Sequence, residues 1–167
     1  MEELITLSIH SDDYERITSW QLARWCKNHG ANDFTIAGVT VKRAGRTLFE
    51  RFDEMTEPFR LPNAKRRSLT ARGSGSRPNA FIRSTELWRL TSASYAVLQE
   101  FLPDGLFTNK SIQDCRFEDP VFYRNGDFML GVVSHEHEGI VRVTEAERHL
   151  LIAEGFKFRT RGSYVGY

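Results

Sequence analysis

Apolar and polar residues alternate near the start of the chain, with Ile5, Leu7 and Ile9 on one side and Thr6, Ser8 and His10 on the other. A period of two over residues 4–10 predicts a strand with one face in a core. The period then lengthens: Leu22, Trp25, Cys26 and His29 recur at i, i+3, i+4 and i+7, one face of a helix. Thr18 and Gln21 have the spacing of a capping box and Ile17 and Leu22 that of a hydrophobic staple, so the helix is expected to start at Thr18. Gly30 supplies a left-handed stop.

Phe34–Val41 reads as a second strand in which Gly38 interrupts the alternation and marks a bulge. Ala44-Gly45-Arg46 reads as a turn into a further strand, Thr47–Phe52. Pro62, Gly73, Gly75 and Pro78, interspersed with serines and threonines, predict a long surface loop over residues 58–80. Phe81–Leu90 is an extended segment, and Thr91 to Ser94 opens a helix that buries Val97, Leu98, Phe101 and Leu102 and ends at Pro103-Asp104-Gly105. The clearest hairpin joins Val121–Arg124 to Asp127–Leu130 through Asn125-Gly126, residues that tolerate the positive φ of a type I′ turn. Its two-residue loop sets Arg124 opposite Asp127 as a cross-strand ion pair. His135–Gly139 turns into a strand at Ile140–Val143, after which Thr144 and Glu147 form a capping box for a helix stopped by Gly155. Adjacent hairpins without βαβ alternation predict an α+β protein, a single compact domain over residues 1–167 with a mostly antiparallel sheet and three helices.

Composition changes this picture little. Of 167 residues 40% are hydrophobic and 12% aromatic, enough for a self-sufficient core, which excludes a disordered or collagen-like chain. Twenty-three Lys and Arg against 22 Asp and Glu leave a net charge of +1, so no overall field demands nucleic acid or a membrane surface. The acidic start lacks the features of a signal peptide, and no stretch approaches the roughly 18 apolar residues that span a bilayer. Cys26 and Cys115 show neither CxxC nor zinc-knuckle spacing, and Cys26 falls on the apolar face of the first helix, which suits a buried free thiol. A soluble cytoplasmic protein with no membrane partner is expected.

Charge is segregated locally. After Glu50, Asp53, Glu54 and Glu57, the stretch from Arg60 to Thr85 holds seven basic residues and no acid. Lys65, Arg66, Arg67, Arg72, Arg77 and Arg83 present positive charge to a protein or to phosphates, and Phe59, Phe81 and Trp88 flank them as candidate stacking or interface aromatics. The plainer reading is a solvated loop. Arg72-Gly73-Ser74-Gly75-Ser76-Arg77 has the freedom to wrap a phosphate but lacks the Lys-Ser/Thr of a P-loop. His135 and His137 form a His-x-His pair that suits a metal, with Asp127, Glu145 and His149 as further donors, but no metal signature accompanies them and a solvated polar hairpin connection is the plainer reading. Glu118 and Asp119 are adjacent, so in a regular strand they point to opposite faces. Phe156, Phe158, Tyr164 and Tyr167 decorate a basic segment that either docks on the sheet or offers a contact surface.

No catalytic constellation and no cofactor motif emerges. The expected function is a non-catalytic protein-binding module, with residues 58–83 and 134–139 as contact surfaces. By analogy at the level of fold, it acts through surface complementarity as inhibitors and immunity proteins do. The alternatives are nucleic-acid binding through Arg60–Arg83 and a metal-dependent hydrolase centred on His135 and His137.

Overall fold

A computed structural model describes residues 3–40, 46–65, 81–82, 86–108 and 115–159. In chain order the elements are β1 (Leu4–His10), α1 (Arg16–Asn28), β2 (Asp33–Thr40), α2 (Arg46–Thr56), β3 (Arg60–Lys65), β4 (Phe81–Ile82), β5 (Glu86–Arg89), α3 (Ser92–Phe101), β6 (Cys115–Arg124), β7 (Asp127–Val133), β8 (Glu138–Thr144) and α4 (Glu145–Ala153). The strands lie in the order β1-β8-β7-β6-β2-β5-β3, with β4 paired to β2 beyond the end of β5. Every pairing among them is antiparallel, as the α+β reading requires.

The main core joins one face of the sheet to all four helices. Phe34, Ile36, Phe122, Val141 and Val143 meet Trp20, Leu22 and Cys26 of α1, Phe52 of α2, Leu98 and Phe101 of α3 and Leu151 of α4. Each such large side chain contributes about 1.5–3 kcal/mol by leaving water. A smaller cluster of Leu87, Val121 and Tyr123, with Leu61 and Phe128 beside it, lies on the other face, since Leu87 and Trp88 are strand neighbours of opposite direction.

Two elements differ from the sequence pattern. Residues 47–52, expected as a strand, belong to α2. Their apolar positions continue past 52 as Leu48, Phe49, Phe52, Met55 and the buried Thr56, which is a helical stripe once the window is long enough. Thr56 Oγ1 donates to Phe52 O at 2.7 Å, satisfying a hydroxyl that would otherwise be stranded in the core. Residues 60–65, expected inside a loop, form β3.

α1 starts at Arg16, ahead of the expected capping box. Glu15 is the N-cap and makes no side-chain cap bond, and Ile17 is 70% exposed, so no staple forms. The chain is fixed instead by Tyr14, which is buried and donates its hydroxyl proton to Lys157 O at 2.7 Å. The other caps follow the spacing. Thr91 with Ser94 opens α3 and Thr144 with Glu147 opens α4 as reciprocal boxes. Asn125 (φ 52°) and Gly126 (φ 89°) turn the β6–β7 hairpin.

In that hairpin Arg124 and Asp127 do sit opposite one another, but the guanidinium turns away from Asp127. It pairs with both carboxylate oxygens of Glu147 and donates to His29 O. One arginine thus ties the end of α1 and the start of α4 to the sheet.

Gly38 is a point of close approach: a Cβ there would stand 2.5 Å from Phe49 Cε1. The irregularity between β2 and β6 falls just beside it, between Thr35 and Ala37.

Candidate functional site

Of the basic segment, Arg60 is placed and is already engaged. Its guanidinium lies 3.1 Å from Glu57, 3.3 Å from Glu86 and 3.6 Å from Asp53, so the acidic run before it is its own counter-charge. The backbone of Lys65 pairs with Glu86, while Arg66, Arg67, Arg72, Arg77 and Arg83 lie outside the described residues.

The aromatic rim does not form from Phe59 and Trp88. Trp88 is 1% exposed, stacks on Phe34 at 5.5 Å and meets Phe52 edge-on. It faces the core because alternate residues of β5 take opposite faces and Leu87 takes the other one, and among the described residues its indole N–H meets no hydrogen-bond acceptor. Phe59 is half-buried against the same core. Phe81 sits in β4 opposite Thr40.

The histidines are not gathered around a common point. His135 lies in a 3-10 turn at Ser134–Glu136, with Nε2 3.8 Å from Glu136 Oε1; His137 caps that turn in the left-handed region at φ 58°. His149 faces Glu145 across one turn of α4 at 3.5 Å. Among the described residues no group of three or more His, Cys, Asp or Glu side chains is disposed to hold a metal ion. Both thiols are buried and unpaired, and burial pushes each up to about 12, which makes them poor nucleophiles.

Two features escape the sequence pattern. The first is a buried polar knot on β6. Three residues of β6 span what two residues of β2 span, and Asp119, at φ 55°, takes the left-handed conformation of this bulge. Its carboxylate accepts the Ser134 N–H at 2.8 Å while Ser134 Oγ accepts the Asp119 N–H at 3.0 Å. These reciprocal bonds fasten the 134–136 turn to β6. Beside it Glu118, 8% exposed, lies 2.7 Å from Arg116 Nε. Burial holds its carboxyl above the ordinary range, with Arg116 and His135 opposing and Asp119 adding to the shift. Pro120, in the middle of an otherwise strand-like run, is the sequence signal for this bulge.

The second feature is the pair of sheet edges. β3 forms one end, and four of its residues (61–64) face a single residue of β5, with Pro62 among them lacking an N–H. A bulged, proline-bearing edge is a poor template for another strand.

β1 forms the other end and has none of these devices. It pairs with β8 in unbroken register from Leu4↔Thr144 to His10↔Glu138 and contains no proline, lysine or bulge. On its outer side Arg159 N–H donates to Ser8 O at 2.8 Å, an isolated antiparallel bridge. Because antiparallel strands alternate which side each residue bonds to, Ser8, Thr6 and Leu4 direct their main-chain groups outward, and Ile5, Leu7 and Ile9 bond to β8. Among the described residues no strand covers Thr6 and Leu4.

The 134–139 connection lies at the far end of this edge, where Ser11 N–H donates to His137 O at 2.9 Å. Among the described residues no helix is long and apolar enough to cross a membrane. No protein-family model, no curated protein and no solved structure matches the chain.

Proposed function

We propose that the chain is a non-catalytic protein-binding module, of inhibitor or immunity type, that takes an extended segment of a partner protein along the outer side of β1. The observation that supports this reading is the contrast between the two sheet edges: β3 is bulged and carries Pro62, whereas β1 is regular in register and uncharged up to His10. An added strand gains main-chain hydrogen bonds to Thr6 and Leu4 and covers the half-buried Ile5 and Leu7. The 134–139 connection then flanks the bound segment, in keeping with its role as a contact surface.

The nucleic-acid alternative is weakened by the burial of Trp88 and the half-burial of Phe59, which remove one and restrict a second of the three aromatics on which bases would stack. The hydrolase alternative has no assembled donor set to support it. Two buried, unpaired cysteines favour a cytoplasmic setting for the binding event.

The test is capture from host lysate on the immobilised full-length chain, with and without nuclease. The wild type is compared with Thr6→Pro and with the triple change of Lys65, Arg66 and Arg67 to alanine. Proline at position 6 removes an outward N–H and spares the bonds to β8, so it is expected to abolish capture of the partner while circular dichroism stays native. The triple variant is expected to retain the partner. Capture that survives Thr6→Pro overturns the reading, and capture that disappears with nuclease hands it to the nucleic-acid alternative.

A further inference from the structure

The helix nearest the β1 edge carries a flank that the rest of the fold does not use. α4 leaves β8 at Thr144, opposite Leu4, and the chain after it reaches Ser8 through the Arg159 bridge, so the helix spans the Leu4–Ser8 length of β1. Its Leu151 enters the core. Two contacts mark its inner flank: Glu147 holds Arg124 of β6, which also donates to His29 O, and Glu154 Oε1 accepts from Trp25 Nε1 of α1. At about 100° per residue, Ile152 stands about 200° from Glu154 and about 140° from Glu147. Since β6 lies inward of β8 and β1 outward, Ile152 is on the flank turned toward the β1 end of the sheet, and it is 47% exposed. Glu145 and Arg148 fall on the same flank and pair with one another.

β1 supplies a self-complementary main chain beneath that flank. Leu4 and Thr6 direct their N–H and C=O groups outward, and no residue from Leu4 to Ser8 is charged. Two copies of such an edge meet antiparallel about a two-fold axis, and the register is restricted. An axis through Thr6 sets Leu4 against Ser8, whose carbonyl holds Arg159. An axis through Ile5 sets Leu4 of each copy against Thr6 of the other, which makes four main-chain hydrogen bonds and leaves the Arg159 bridge intact. It also turns the two α4 flanks toward each other. There Ile152 gains apolar cover, and the mixed signs of Glu145 and Arg148 avoid a like-charge face.

We propose that two copies of the chain pair along β1 about an axis through Ile5, joining their sheets, and that this homodimer holds the edge until a partner strand displaces it. The displacement rests on β1 being the docking edge; the dimer itself does not. Four main-chain bonds and one apolar contact from each copy fall short of a standard interface, so dissociation in the micromolar range or weaker is expected.

Sedimentation of the full-length chain from about 1 to about 300 µM tests the association. The mass is expected to rise from 19.3 kDa toward twice that value. Thr6→Pro is expected to stay at the single-chain mass, and Ile152→Lys to weaken association by about tenfold or more. Ile5→Cys reports the register. Across the axis the two copies of position 5 form a non-hydrogen-bonded pair with Cα atoms about 4.5 Å apart, within disulfide reach. Copper phenanthroline is therefore expected to oxidise the two thiols to a cross-linked dimer, and the native cysteines are buried. Leu7→Cys, whose two copies stand about 13 Å apart in this register, is expected to stay uncross-linked. A single-chain mass at every concentration overturns the dimer, whatever Thr6→Pro does to partner capture. Association that persists in Thr6→Pro, or equal cross-linking at positions 5 and 7, overturns the pairing along β1. A dimer whose Ile152→Lys variant captures the partner no better than the wild type overturns the competition.

Discussion

Two glutamates on the sheet and its cap illustrate how opposite environments give opposite pH dependence. Burial pushes the Glu147 carboxyl up, but hydrogen bonds from Arg124 and from the Thr144 backbone and hydroxyl outweigh it and hold the group below its ordinary value. Its folded state therefore binds the proton more weakly than the unfolded state. The stability it contributes is present above the unfolded pKa of about 4.3 and is lost as pH falls through the folded value. Glu118 is raised by burial, so its folded state binds the proton more tightly, and the stability linked to it is present in acid and is lost as pH rises through the folded value. Urea unfolding of the wild type, Glu147→Gln and Glu118→Gln from pH 7 down to pH 3 checks both. The advantage of the wild type over Glu147→Gln is expected to be about 1–3 kcal/mol at pH 7, from the broken Arg124 pair and half of a capping box, and to shrink in acid. Relative to Glu118→Gln the wild type is expected to gain as pH falls. Two differences moving in the same direction would contradict these environments.

At the scale of elements, legibility tracks how local the determining chemistry is. The Thr144–Glu147 box and the Asn125-Gly126 turn are settled within four residues, and both occur as read. α2 was hidden because Thr47–Phe52 is too short a window to tell one period from another, and its identity rests on Phe52 and Met55 reaching the core. The Arg124 partner was hidden for a different reason. Register sets it beside Asp127, yet Glu147 comes from an element more than twenty residues away and offers two oxygens and a part-buried setting. Besides the packing of Phe52 on Trp88 and Phe117, α2 meets the sheet at a tight point where Phe49 lies against Gly38 and edge-on to Phe117 at 5.3 Å. Gly38→Ala is expected to cost about 1–3 kcal/mol by driving a methyl into that ring. Phe49→Leu in the same chain, which removes the clashing ring edge, is expected to recover part of the loss, with a coupling energy above about 0.5 kcal/mol in a double-mutant cycle. Strict additivity would show that the two residues do not share this contact.

For the whole molecule, strand order is what a single sequence withholds. The alternation in Leu4–His10 announces a strand with one buried face, but not that it ends the sheet, and the knot of Glu118, Asp119 and Ser134 exists only because β7 returns beside a bulge in β6. Charge segregation was legible from the outset, and its meaning depends on the fold. Arg60 is neutralised by Glu57, Glu86 and Asp53, leaving Lys65, Arg66 and Arg67 as the start of the basic run. If these lysine and arginine charges released counterions from a nucleic-acid backbone, affinity would fall steeply with salt. Replacing three of them would flatten the log–log slope by about 2–3. Main-chain pairing along β1 involves no net charge and escapes that dependence. Affinity for the captured partner, measured between 50 and 300 mM salt for the wild type and the Lys65/Arg66/Arg67 triple alanine variant, is therefore expected to vary by less than about tenfold, with equal slopes in the two proteins. A slope that drops by about one for each charge removed would place the contact on the basic run and take it away from β1.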